Sequence, residues 1–168
     1  MPPSPTERDP LAIACELVGR FLFHFSHVEG GIDAAIAKLF DLKEDAADII
    51  TANMDMNRKL NIVQSMVDLQ SKPPEWRSWA TDLLNQIRGL NSPSRQIVAH
   101  STFEPFENGS VRFKRTTAKE TLKRDAPVWS TKKFNDDFLK LEECATKLTQ
   151  LVFDLSPYRG GTYFILGF

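Results

Sequence analysis

Residues 9–39 read DPLAIACELVGRFLFHFSHVEGGIDAAIAKL, and this stretch decides the fold class. Asp9 followed by Pro10 is a helix start, because the carboxylate accepts from first-turn amides and proline presets φ for the first turn. Apolar residues then recur at spacings of three and four: Leu11, Ala14, Val18, Phe21, Phe25, Val28, Ile32, Ala35 and Leu39. That spacing gives a helix one apolar stripe. It predicts a helix of about 30 residues, roughly 45 Å long at 1.5 Å per residue. Gly30-Gly31 lies inside it, where glycine costs about 1 kcal/mol, and marks either a bend or a close helix crossing.

Outward from this stretch the helical pattern continues. A second helical region is predicted from Lys43 to Ser71, with a break near Asn53 and an end before Pro73-Pro74. A third begins near Glu75 and carries Trp76, Trp79, Leu83, Leu84, Ile87 and Leu90. Ser92-Pro93 reads as a new cap and first turn, so residues 93–101 form a kinked continuation or a short fourth helix. Thr102–Phe106 and Val111–Lys114 then flank Asn108-Gly109, a dipeptide suited to a tight hairpin turn, and Pro105 confines the first strand to an edge. Ser130-Thr131 starts a last long helix carrying Phe134, Phe138, Leu141, Ala145, Leu148, Leu151, Val152 and Leu155.

The expected architecture is all-α, an antiparallel helical bundle with a small β-hairpin before the last helix. One domain spans 1–168, with 1–8 a disordered arm and 156–168 an aromatic tail that docks on the core or on a second subunit.

At 168 residues the chain is long enough to bury a core without disulfides or metals. Cys15 and Cys144 are far apart and read as small apolar residues in a reduced compartment. His24 and His27 are three residues apart with no third ligand in view, so no metal is expected. There is no P-loop and no dinucleotide-binding glycine pattern, and no cofactor is expected. The apolar cluster Phe21-Leu22-Phe23 stops at His24, far short of the roughly 18 residues that span a bilayer. A soluble, cytoplasmic protein without membrane attachment is the expectation.

Net charge is −1, which argues against an obligate nucleic-acid coat, but the charge is uneven. Residues 112–133 hold eight Lys and Arg against Glu120 and Asp125, and the remainder of the chain is acidic. Within that segment Arg112, Lys114, Arg115, Lys123 and Arg124 suit an RNA backbone, with Trp129 and Phe113 available to stack on a base. The same segment also reads as a solvated hairpin face with Trp129 anchoring the strand end.

The string Asn91-Ser92-Pro93-Ser94-Arg95-Gln96-Ile97-Val98-Ala99-His100 carries an arginine and a histidine separated by four residues. Arg95 is a permanent cation with a planar donor fork suited to a phosphodiester, and His100 exchanges a proton near neutral pH. Five positions on a straight helix differ by about 140° around its axis, so the pair converges poorly within one helix. Facing copies of the helix in a two-fold dimer would bring them together. Gln96 and His100 share a face, as do Asn91 and Arg95 if the helix runs through Pro93.

This motif, late in a helical chain and just before a hairpin, resembles the signature of the HEPN superfamily. Those are helical bundles, frequently dimeric, that include metal-independent RNases and the toxins of toxin–antitoxin pairs. The likeness takes in a long first helix with Glu29 in mid-course. Gln96 departs from the pattern, since members often place Asn, Asp or His after the arginine. The resemblance implies a homodimeric endoribonuclease with Arg95 and His100 catalytic, supported by Asn91, Gln96 and Glu29, and an antitoxin or other partner protein. The other class left open is a non-catalytic helical dimer that binds RNA or a partner protein.

Overall fold

The computed structural model describes residues 9–119 and 121–158, with side chains for all of these except 117–123. The N-terminal arm 1–8 and tail residues 159–168 therefore lie outside the described residues.

The chain is mostly helical, with a small antiparallel sheet before the last helix. Helix α1 (Pro10–Leu39) is continuous, and its first free amide is met by the Asp9 carboxylate, which accepts from Leu11 N at 3.0 Å. Gly30-Gly31 marks a crossing and not a bend. A Cβ on Gly31 would sit 3.0 Å from Leu148 Cδ1 and 3.1 Å from its Cβ, so any larger residue would make the Leu148 side chain give by a few tenths of an ångström. The second helical region is broken, as its polar Asn53 suggests, into α2 (Glu44–Thr51) and α3 (Met56–Asp68). Asp55 caps α3 by accepting from Arg58 N. Helix α4 (Pro74–Gly89) leads into a wide turn, and a short helix α5 (Gln96–His100) follows. Last comes α6 (Thr131–Asp154), where Ser130 Oγ accepts from Lys133 N.

The antiparallel arrangement holds for only some of the packed pairs. Arg88 reaches Leu60 and Asn61 while Gln64 meets Thr81, so α3 and α4 run in opposite directions. Trp76 bonds Asp154 while Gln86 lies by Cys144, so α4 and α6 do likewise. Between α1 and α6 the order is reversed. Arg20 lies over Phe138, His24 faces Glu142, Gly31 meets Leu148 and Leu39 bonds Tyr158. Contacts that rise together make α1 and α6 parallel. The sheet explains it, because it carries the chain from the end of α5 to the Phe21 region of α1, where α6 must start.

That sheet is larger than a hairpin. Strands β1 (Thr102–Phe106) and β2 (Ser110–Lys119) pair through the predicted turn, with Asn108 and Gly109 at φ 55° and 71°. β1 lies at the edge, as Pro105 requires. β2 then runs on to pair with β3 (Thr121–Asp125) and β4 (Val128–Trp129). Val111 and Phe113, alternate residues of β2, are buried against the helices.

One feature of α1 departs from the expectation that no segment suits a bilayer. By length and composition alone, it is long and apolar enough to cross one. In this fold its stripe from Ala14 to Leu39 lies in the core.

Candidate functional site

The break between α4 and α5 builds the site. Ser92 has extended backbone (φ −131°, ψ 121°), the conformation a residue before proline prefers, so the helix does not run through Pro93. Asn91 and Arg95 thus do not share a helix face in the way a continuous helix would allow. The wide turn nevertheless delivers both to one cleft. Asn91 is buried and donates through Nδ2 to Asn57 Oδ1 at 3.1 Å, which ties the turn to the start of α3.

Arg95 and His100 meet within one chain, contrary to the helical-wheel argument. Arg95 Nη1 lies 3.4 Å from His100 Nε2. The long arginine stem covers what the backbone angle does not, and its guanidinium lies over the Phe25 ring of α1, 5.8 Å from the centroid. An arginine only donates, so the contact is a hydrogen bond in the tautomer whose Nε2 carries the lone pair. Arg95 is half-buried and His100 exposed at the mouth.

The cleft has a volume of about 510 Å³. Glu29, Asn91, Arg95, Gln96 and His100, all expected at the site, line it together. Arg115 joins them from β2, separated from the other members of the basic segment. The wall opposite is the α2–α3 link, Ala52 to Asn57. Arg95 and Arg115 take part in no ion pair among the described residues.

Sequence reasoning missed the charge beneath the floor. Lys59 is 3% exposed, with Nζ 2.8 Å from Asp33 Oδ1, 3.0 Å from Oδ2, and 3.5 Å from Glu29 Oε1. Its buried place was legible: Lys59 follows Met56 by three and precedes Val63 by four, on the apolar face of α3. Glu29 therefore enters the cleft with one side already held by a buried cation.

The remaining basic residues are placed elsewhere. Arg112 and Lys114 both pair with Glu104 of β1, at 3.5 and 2.5 Å, and Arg112 stacks on Phe106. Arg124 is exposed on β3 opposite Thr116, and the Lys123 side chain lies outside the described residues. Trp129 and Phe113 are corrected. Both are buried, packed edge to face at 5.3 Å and joined by Phe21 and Phe134, so neither presents a ring to a base. Trp129 anchors the strand end, with Lys133 over its ring.

His24 and His27 are held by neighbours of another kind, His24 by Glu142 and Phe138 and His27 by Phe23. Cys144 is buried against Gln86, and that burial pushes its thiol up to about 11, with the Glu143 charge adding to the effect.

No protein-family model, curated protein or solved structure matches this chain. The class of the molecule therefore rests on what its residues can do.

Proposed function

We propose that the chain is a metal-independent endoribonuclease of HEPN type, cytoplasmic and active as a homodimer. The observation that carries this reading is the Arg95–His100 contact of 3.4 Å in a cleft that also holds Arg115. The neutral imidazole takes the proton of an RNA 2′-hydroxyl as the 2′-oxygen bonds to its adjacent phosphorus. The P–O5′ bond breaks, and the leaving oxygen needs a proton from a second acid. In a dimer that acid is His100 of a second copy in its protonated, imidazolium form, so one copy gives up a proton as the other takes one. Arg95 and Arg115 balance the charge that builds on the phosphate oxygens. Gln96 and Asn91 orient the imidazole and the phosphate, and Glu29 braces the floor. The products are a cyclic 2′,3′-phosphate and a 5′-hydroxyl.

The second reading has its own support. Each chain brings one imidazole to the cleft, so a monomer lacks the second proton donor. A monomer would be a module that binds RNA or a partner protein, such as an antitoxin, across the same opening.

The deciding experiment compares wild type, His100→Ala and Arg95→Ala, purified identically, on mixed RNA with and without EDTA. Both variants should lose cleavage by a factor of at least about 100, keep their melting point within the small range of a surface change, and leave the EDTA result unchanged. Equal activity in wild type and His100→Ala sinks the mechanism. Inactive wild type with a monomer mass by light scattering moves the reading to the binding module.

A further inference from the structure

An apolar cleft of about 220 Å³ opens between the end of α1 and the α2–α3 pair, lined by Ile36, Phe40, Leu42, Ile50, Met54 and Ile62. Among the described residues no polar side chain lines it. Phe40 and Ile50 at its rim are 45% and 39% exposed, which leaves a contiguous oily surface in water. Such surfaces are usually covered by something.

The course of the chain says by what. After α6 the backbone is tied down twice. Gln70 holds Ser156 from both sides, donating to its carbonyl at 3.2 Å and accepting from its amide at 3.1 Å. Tyr158 N then donates to Leu39 O at 2.7 Å. Leu39 immediately precedes Phe40, so the described chain ends beside the cleft's own rim. The sequence continues for ten residues, RGGTYFILGF, with Arg159 its sole charge. In sequence, Gly160-Gly161 is the pair best suited to a turn, and Tyr163-Phe164-Ile165-Leu166 supplies the apolar mass. Ten residues reach roughly 33 Å when extended.

We propose that residues 159–168 fold back and seat their Tyr163–Leu166 run in this cleft, in the same chain. The occupant is uncharged where the cleft is uncharged, and tethered at its edge. The tether raises the local concentration of the segment far above that of any free competitor. Met54 lines both this cleft and the Arg95–His100 cleft, so the seated segment props the α2–α3 link from behind. This inference does not depend on ribonuclease activity.

Disulfide trapping tests it on the full chain carrying Cys15→Ser. Ile50→Cys is combined in turn with Phe164→Cys, Ile165→Cys and Leu166→Cys, and Leu139→Cys on exposed α6 replaces Ile50→Cys as control. At least one Ile50→Cys pair should close within a chain at least ten times faster than any control pair. Mixing isotopically heavy and light chains separates intrachain from interchain links. Closure no faster than the control overturns the proposal, and so do links between heavy and light chains, which would make a second copy the occupant. Limited chymotrypsin digestion needs no cysteine variant. Cleavage at Tyr163 or Phe164 should be at least ten times slower in the unsubstituted protein than in Phe40→Glu, and equal rates again overturn it.

Discussion

Phe21 and Phe25 lie one turn apart on α1, both fully covered, and they support opposite kinds of chemistry. Phe21 meets Trp129 edge to face at 5.8 Å, and behind Trp129 stand Phe113 and Phe134, an aromatic junction that roots the sheet on the bundle. Phe25 carries the Arg95 guanidinium, and beyond it lies an open cleft lined by charge and amide. The helix presents the same apolar stripe to both. What differs is the segment laid upon it: β4 and the start of α6 bring rings, while the turn after α4 brings an arginine. The junction gains from every ångström of burial. The cleft keeps polar groups half-solvated, and so has more to offer a ligand than the fold.

If that contrast is right, the junction should be the costliest place to cut. Phe113→Ala removes a fully buried ring touching Phe103, Trp129 and Phe134. It should lower stability by about 3–5 kcal/mol in urea unfolding, the usual cost of an emptied aromatic site. A loss under about 1 kcal/mol would mean that the sheet is not anchored by these rings.

Lys59 sharpens the boundary between the two regions, because it is a buried charge under the polar cleft. Lys59→Met keeps the stem and removes the ammonium, leaving Glu29 and Asp33 side by side without their cation. Each carboxylate is about a third exposed, 32% and 30%, so water offsets part of the penalty. The expected loss is about 2–3 kcal/mol, below the range for a wholly buried pair. Adding Glu29→Gln and Asp33→Asn should recover most of it, since all three charges are then gone. A single variant as stable as wild type would show that the trio is surface decoration; a triple variant no better than the single would locate the cost in packing.

How much of this was written in the sequence follows the same divide. The cap at Asp9, the stripe of α1, the Asn108-Gly109 turn and the Ser130 cap are local, each set by residues within a few positions, and each was legible. The meeting of α1 and α6 in parallel was not, because it depends on where a polar strand pair returns the chain. The segment 112–133 reads as one basic patch by composition, yet it divides by strand face. Val111, Phe113 and Arg115 are alternate residues of β2, so the face that fills the core also aims Arg115 at the cleft. Period-two reading through Arg115 would have found it. For Arg95 and His100, the residues were legible and their contact was not. Backbone angle said they diverge, and the reach of a long side chain decided otherwise.

The smallest effect belongs to the outer face of the sheet, where the basic segment already has its counter-charge. Lys114 bonds Glu104 and, with its own charge and that of nearby Arg112, outweighs partial desolvation to hold the carboxyl below its ordinary 4.5. A carboxyl whose folded value lies below its unfolded one stabilises the fold while ionised. That contribution is complete at pH above about 4.5 and disappears as pH falls through the folded value. Glu104→Gln should therefore melt slightly below wild type at pH 6, with the gap closing as the pH is taken down past 4.5 toward 3. Salt should shrink the gap as well, because the pair is exposed to solvent. A gap that stays constant with pH would mean that Glu104 acts through strand pairing and not through charge.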